Sequence, residues 1–261
     1  FTANRNIQLV MALVVFTLLI GILIYGTWSG RSTRVNTYNL NIDKKSAAGK
    51  ALKVIMVSDV HLGSIMDSAR LTRMVDDINK LEPDVVLMAG DIIDNKLEPF
   101  IKQKMGENFQ RIKSKYGVYA SIGNHEVIAN KLEDTVKEYT DAGIRVLRDE
   151  VVLVENSFYI AGRDDSSVDR VTKSKRKELK DILQNVDKTK PILLIDHQPR
   201  DLGTVEKEAV DLQVSGHTHR GQISPANFIT SRIFEIDYGH LKKGNTNIIV
   251  SSGYGTWGPP I

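Results

Sequence analysis

The sequence predicts an α/β domain, its sheets covered by helices, carried behind an N-terminal transmembrane helix. Three observations predict it: one long uncharged apolar stretch near the amino terminus, a series of short apolar runs each ending in polar residues, and amphipathic segments between those runs. At 261 residues, with 41% hydrophobic and 26% charged residues, the chain has the balance of one folded domain of catalytic size plus a short appendage. Its formal charge of +3 is small and the basic residues are dispersed, so nucleic acid is not expected as a partner. With no cysteine there can be no disulfide or thiolate ligand, and any metal must be held by nitrogen and oxygen.

The stretch from Leu9 to Tyr25, LVMALVVFTLLIGILIY, carries no charge and runs on to Trp28. That approaches the ~20 residues a spanning helix needs. It exceeds the roughly 7–15 residues of a signal-peptide core, and no small-x-small cleavage site follows it cleanly. A retained anchor over residues 1–28 (about 7–28) is therefore expected, with Tyr25 and Trp28 in an interfacial belt. Arg31, Arg34, Lys44 and Lys45 outnumber Arg5, which favours a cytoplasmic carboxyl-terminal side. The chain opens at Phe1, so further spans upstream remain open, and with them the membrane side. Residues 29–52 are polar with little apolar periodicity and read as a linker.

The catalytic domain is expected over 53–261. Its strands are read from KVIMVSD, DVVLMAGD, GVYASIGNHE, FYIAGRDD, PILLIDHQP, VDLQVSGHTH and NIIVSSG. Helices are expected over 68–81, 98–114, 132–142 and 171–186, the last as a Lys- and Arg-rich solvated face. Such an alternation places ligand chemistry in the loops after the strand ends.

Residues able to bind divalent cations gather at those ends: Asp59 and His61, Asp91 and Asp94, Asn124 and His125, His197, and His217 and His219, which include five of the six histidines. Any one of them alone would read as a satisfied polar residue or turn former; together they point to a metal centre. The Asp59-x-His61 and His217-x-His219 alternations would turn both side chains of each pair to one side of an extended backbone. Two cations ~3.5–4 Å apart need a bridging carboxylate, for which Asp91 is the candidate. Gly90, Gly123 and Gly216 directly precede Asp91, Asn124 and His217 and would let the backbone turn sharply or approach the metals.

The blocks DVHLG at 59–63, GD at 90–91, GNHE at 123–126, the strand-end His197 and GHTH at 216–219 resemble the calcineurin-like metallophosphoesterase superfamily in content and order. The terminal SSGYGTWGPP and the GRDD at 162–165 look like a bacterial membrane-associated phosphodiesterase branch of it. The resemblance implies a four-layer α/β/β/α sandwich, with NIIVSSG in the second sheet. It implies one metal on Asp59, His61, Asp91 and His219 and a second on Asp91, Asn124, His197 and His217. Manganese is the first choice for the two divalent ions, with iron or zinc as alternatives. His125 would stabilise charge or act as general acid, and Asp94 would either orient it or cap the next helix.

The resemblance thus implies a metal-dependent hydrolase of phosphodiester or pyrophosphate bonds, with a lipid-linked envelope metabolite as one candidate substrate. Protein phosphatase activity is disfavoured, because Asn95 and Ile122 stand where that subfamily carries phosphate-clamping arginines. A phosphomonoesterase or nucleotide phosphodiesterase acting on a soluble substrate is the alternative enzyme. A catalytically silent membrane-tethered metal-binding scaffold is the alternative outside enzymes. Trp257 is expected to pack the end of the domain, Arg220 to face solvent, and Tyr238 and His240 to be loop residues near the rim.

Overall fold

Successive residues of a strand face opposite ways, so a strand buried on both faces reads as continuously apolar. In β2 (Val85–Ala89), Val85, Leu87 and Ala89 enter one hydrophobic cluster while Val86 and Met88 enter another, and all five are buried. The computed structural model in which this is seen describes residues 4–44, 51–172 and 174–259. β2 lies in a four-stranded parallel sheet of order β1 (Val54–Val57), β2, β3 (Val118–Ser121), β4 (Ile144–Val146). Its outer face is covered by α2 (Ser68–Lys80), α3 (Glu98–Lys102), α4 (Met105–Phe109) and α6 (Leu132–Asp141), which contribute Leu71, Phe100, Met105 and Tyr139.

The second sheet has six strands in the order β5 (Glu150–Val154), β6 (Phe158–Gly162), β7 (Ile192–Ile195), β8 (Leu212–Ser215), β10 (Thr246–Val250), β9 (Gly239–Lys243). Ile160, Leu193, Ile195, Leu212 and Val214 pack against Val85, Leu87 and Tyr119 of the first sheet. Ile192 and Leu194 face the other way, onto α8 (Leu179–Ile182) and α9 (Leu202–Lys207). The result is the four-layer α/β/β/α sandwich expected, with the NIIVSSG strand in the second sheet.

The expected helix over 98–114 is instead α3 and α4, separated by Lys104 at φ 52°. The left-handed residue turns the chain so that Phe100, Met105 and Phe109 all reach the core, the two phenyl rings stacked 6.1 Å apart. The helix expected over 171–186 is also absent as such. Only α7 (Val168–Val171) and α8 are helical there, with 174–178 irregular between them; residue 173 lies outside the described residues. Tertiary contacts override the local propensity: Arg176 N donates to Asp169 Oδ1 at 2.7 Å, Lys177 N to Asp149 Oδ2 at 2.8 Å, and the Arg176 guanidinium turns inward to Asp196. β4, β5 and β9 were not read from the sequence. The two that form the edges of the second sheet, β5 and β9, are largely half-exposed or exposed; β9 has no apolar run, and the short run 151–154 of β5 went unread.

Near the amino terminus, α1 (Arg5–Arg31) is 27 residues, or about 40 Å, long and has no buried residue. It is long and apolar enough to cross a membrane. After it, residues 32–43 have no regular structure but are tied to the domain. Asn36 Nδ2 donates to the Tyr238 hydroxyl at 3.1 Å, and Lys44 Nζ pairs with Asp211 at 2.7 Å. Residues 45–50 of the expected linker, including Lys45, lie outside the described residues.

Candidate metal centre

The residues singled out in the sequence sit just past the carboxyl ends of β1, β2, β3, β7 and β8, the edge where parallel sheets collect ligands. Asp59, His61 and His219 present one ligand atom each within 4.8 Å of one another, and so do Asp59, Asp91 and His197. His61 Nε2 lies 2.9 Å from His219 Nε2, and His219 Nε2 lies 3.4 Å from Asp59 Oδ1. Asn124 Oδ1 is 2.9 Å from His217 Nδ1 and 3.2 Å from His197 Nε2, which is in turn 3.1 Å from Asp91 Oδ2. All seven residues expected as ligands are thus brought together. Asp94 and His125 sit beside them: His125 Nδ1 is 3.0 Å from the Asp94 carbonyl and 3.2 Å from its carboxylate.

The backbone achieves this differently from the extended alternation expected. Asp59 (φ 49°), His61 (51°), Asp91 (51°), His217 (70°) and His219 (47°) all lie in the left-handed region. L-residues avoid that region, and such strain concentrates where surrounding structure enforces a functional geometry. Backbone amides fix the carboxylates: His217 N donates to Asp59 Oδ1 at 2.9 Å, and His125 N to Asp91 Oδ1 at 2.9 Å. The glycines are required by close approach. A Cβ on Gly123 would fall 2.2 Å from Asp91 Oδ1, and one on Gly216 would fall 2.0 Å from Asp59 Oδ2.

The donor set fits divalent cations. Burial lowers the pKa of His61 to about 4, despite the nearby Asp91 and Asp59, and burial likewise lowers His217 to about 4. Both imidazoles are therefore neutral at pH 7 and carry free lone pairs, as ligation requires. The His61 and His219 rings stack so that their Nε2 atoms lie 2.9 Å apart, and His61 Nδ1 is buried with no hydrogen-bond partner. Burial opposes charge on His197 and Asp91, yet their mutual attraction prevails, raising the histidine and holding the carboxyl below the usual range. His197 Nδ1 donates to the Ala89 carbonyl at 2.8 Å, leaving Nε2 to face the centre, the outer-shell arrangement typical of a ligating histidine. All donors are nitrogen or oxygen, which suits manganese, iron or zinc.

A sequence profile of the calcineurin-like phosphoesterase family matches residues 52–221, well over half of the chain. The chain belongs to that family. Its members' class of chemistry places this protein among metal-dependent phosphoester hydrolases. An uncharacterized metallophosphoesterase of Aquifex aeolicus is 34% identical over 246 residues, covering 89% of this chain and 90% of the relative. The Danio rerio transmembrane protein with metallophosphoesterase domain is 25% identical over 97% of this chain and 60% of its own length. UDP-2,3-diacylglucosamine pyrophosphatase LpxG of Chlamydia trachomatis is 21% identical over 86% of this chain and 84% of its own. The chain spans about half the length, 56%, of the curated relatives it matches in Helicobacter pylori.

Several residues that shape the centre of this phosphoesterase escaped the sequence reading. Glu126, fully buried, accepts from the amides of Asp91, Ile92, Ile93 and Gly123 at 2.7–3.0 Å and from the Tyr139 hydroxyl at 2.9 Å. It ties the Asp91 loop to the start of α5 (Asn124–Ile128). Its signal lay in the last letter of GNHE; Tyr139, on a helix far along the chain, gave none. Tyr139→Phe removes one of those donors from a buried carboxylate and should lower stability by about 1–3 kcal/mol, read as a lower unfolding midpoint of the detergent-solubilised chain. An unchanged midpoint would show that the remaining donors suffice. Beneath His197, buried Asp196 pairs with Arg163 Nη1 at 3.2 Å and with Arg176, giving the GRDD block a structural setting. At the carboxyl terminus, Tyr254 N and Gly255 N donate to the carbonyls of Ser58 and Asp59, so SSGYG braces the first ligand loop. Trp257 does not pack the end of the domain as expected. It is 61% exposed, and its ring stands 6.3 Å from His125. Arg220 lies 4.7 Å over the Tyr238 ring.

Proposed function

We propose that the chain is a membrane-anchored, two-metal phosphodiesterase or pyrophosphatase. The observation that carries this reading is the convergence of seven nitrogen and oxygen donors in two adjoining groups, Asp59, His61 and His219 and Asp59, Asp91 and His197, with Asn124 and His217 beside His197. Asp59, His61, Asp91 and His219 would hold one divalent ion, and Asp91, Asn124, His197 and His217 the other. Two ions bound there would supply Lewis acidity toward a phosphate and toward water, with manganese as first choice.

The chain's own residues then divide the remaining work. Asp91 offsets the repulsion of two cations. His125, its Nδ1 turned to Asp94, presents Nε2 as the atom able to pass a proton to the departing oxygen. Asp94 is the positioning residue for that ring. A cleft of about 700 Å³, lined by Asn95, Lys96, Glu98, Lys102, Gln103 and Lys131, opens one residue beyond Asp94; Glu98 pairs with Lys131 at 2.6 Å, which leaves Lys96 and Lys102 to offer positive charge to the far side of an anionic substrate. A pyrophosphate substrate embedded in an amphiphile is favoured by α1 and by the activity that LpxG's name records for that relative.

Full-length protein in detergent, stripped of metal and resupplied with manganese, should cleave bis(p-nitrophenyl) phosphate in preference to p-nitrophenyl phosphate. Faster cleavage of the monoester would assign a phosphomonoesterase. No turnover of either, with two ions bound per chain, would favour the silent scaffold.

A further inference from the structure

We propose that an apolar ridge beside the metal centre docks into the lipid interface of the membrane that α1 crosses, holding the mouth of the site against the bilayer. The ridge consists of Ile223, Trp257 and, on α10 (Asn227–Ile233), Phe228, Ile229 and Ile233, all more than half exposed. At 3.6 residues per turn the three α10 side chains fall within an arc of about 140°. Single exposed apolar residues are ordinary; a group of five large ones on one rim is an interaction surface.

The segment is fixed from beneath, so the ridge is not a loose loop that could fold its apolar side inward. The Phe234 ring stands 6.1 Å from His217, with Arg200 5.0 Å over it, and Ile236 packs onto Leu202, Ile248 and Val250. The Thr218 and Thr230 hydroxyls both bond Asp237, at 2.6 Å each. Gly221, at φ 75°, lies so close to the start of α10 that a Cβ there would fall 2.3 Å from Asn227 N. Gln222 clamps the backbone of Trp257 through two hydrogen bonds, at 2.8 and 2.9 Å, which joins that indole to the ridge and sets it beside His125.

The anchor decides what covers this surface. Arg70 Nη2 donates to the Gly30 carbonyl at 3.4 Å, fixing the end of α1 against the domain. Asn36, five residues after Arg31, bonds Tyr238, which follows Asp237 at the foot of the ridge. Five residues span at most about 18 Å and the Asn36 and Tyr238 side chains add roughly 10 Å, so the foot of the ridge is held within about 30 Å of the end of the membrane helix. The chemistry matches a bilayer surface: between 220 and 243, Arg220, Arg232, Lys242 and Lys243 stand against Glu235 and Asp237, and an exposed tryptophan sits at the edge. Apolar side chains flanked by basic ones and tryptophan bury about 5–10 Å into the headgroup and acyl boundary, most strongly over anionic lipid. A substrate residing in that boundary would then reach the metal centre without leaving the membrane. The inference rests on α1 as an anchor and is independent of the metal assignment.

The lack of cysteine makes a direct test available. Full-length chain with Ile229→Cys, carrying a nitrobenzoxadiazole fluorophore, is reconstituted into vesicles of phosphatidylethanolamine and phosphatidylglycerol. Glu155→Cys, in the distant β5–β6 turn, serves as reference. Emission from position 229 should be blue-shifted relative to 155 and quenched by lipids spin-labelled near the carbonyl. Water-like emission at both positions, in protein that floats with the vesicles, overturns the proposal. A blue shift without lipid quenching that grows with the protein-to-lipid ratio also overturns it, assigning the ridge to a second copy of the chain. Protein that fails to float removes the anchor on which it rests.

Discussion

Asp91→Asn should lose both metal ions together and reduce hydrolysis by more than about 10³-fold, beyond the roughly 10–100-fold that follows loss of an outer-shell partner. The expectation comes from where the carboxylate stands. It lies 3.1 Å from His197 and shares one buried cluster with it and Asp59. An amide keeps its size and can still accept from His125 N, now at 2.9 Å, so the loop held by Glu126 should survive. What disappears is the negative charge that two divalent ions in one buried site require. Metal content by mass spectrometry and diester hydrolysis should therefore fall together, while the circular dichroism spectrum stays that of the parent. Two ions per chain with undiminished turnover in Asp91→Asn would remove Asp91 from its bridging place.

How much of this was legible beforehand depended on whether the determining interactions were local. The strands ending at Ala89, Ser121, Ile195 and Ser215 are buried on both faces and the one ending at Val57 is half-buried, so their apolar runs announced them, and the expected ligands two to four places further on were found in the same reading. Gly123 and Gly216 were legible for the same reason, since they stand next to the residues they make room for. The left-handed backbone at Asp59, His61, His217 and His219 was not, because Asp and His tolerate that region without requiring it and the surrounding loops impose it. Glu126 with Tyr139, and Asp196 with Arg163 and Arg176, are pairings of residues 13 to 33 positions apart, which no periodicity records. The irregular 174–178 segment shows the converse error: a sequence with helical pattern was pulled straight by carboxylates belonging to other parts of the chain. The exposed ridge gave apolar residues without a partner, and its meaning came only from the tether that places it near α1.

His125→Ala should leave metal content nearly unchanged and lower kcat by about 10²–10⁴-fold, with the size of the loss set by the leaving group. In the proposed assignment His125 stands beside the ligands, although with His61 and Asp94 it also forms a group able to hold a metal; its Nδ1 is committed to Asp94 and its ring is edge-on to His61 at 4.6 Å. A ring held that way can deliver a proton from Nε2 to an oxygen as its bond to phosphorus breaks. An activated phenolate departs well without a proton, so the loss on p-nitrophenyl diesters should fall at or below the small end of the range. A diester with an alkyl leaving group needs the proton and should show the large end. Asp94→Asn keeps the carbonyl contact to Nδ1 but loses the carboxylate at 3.2 Å, and should show a smaller loss with the same dependence on the leaving group. A loss in His125→Ala that is equal for both leaving groups would take the proton-transfer role from this residue and leave it the stabilisation of charge on the bound phosphate.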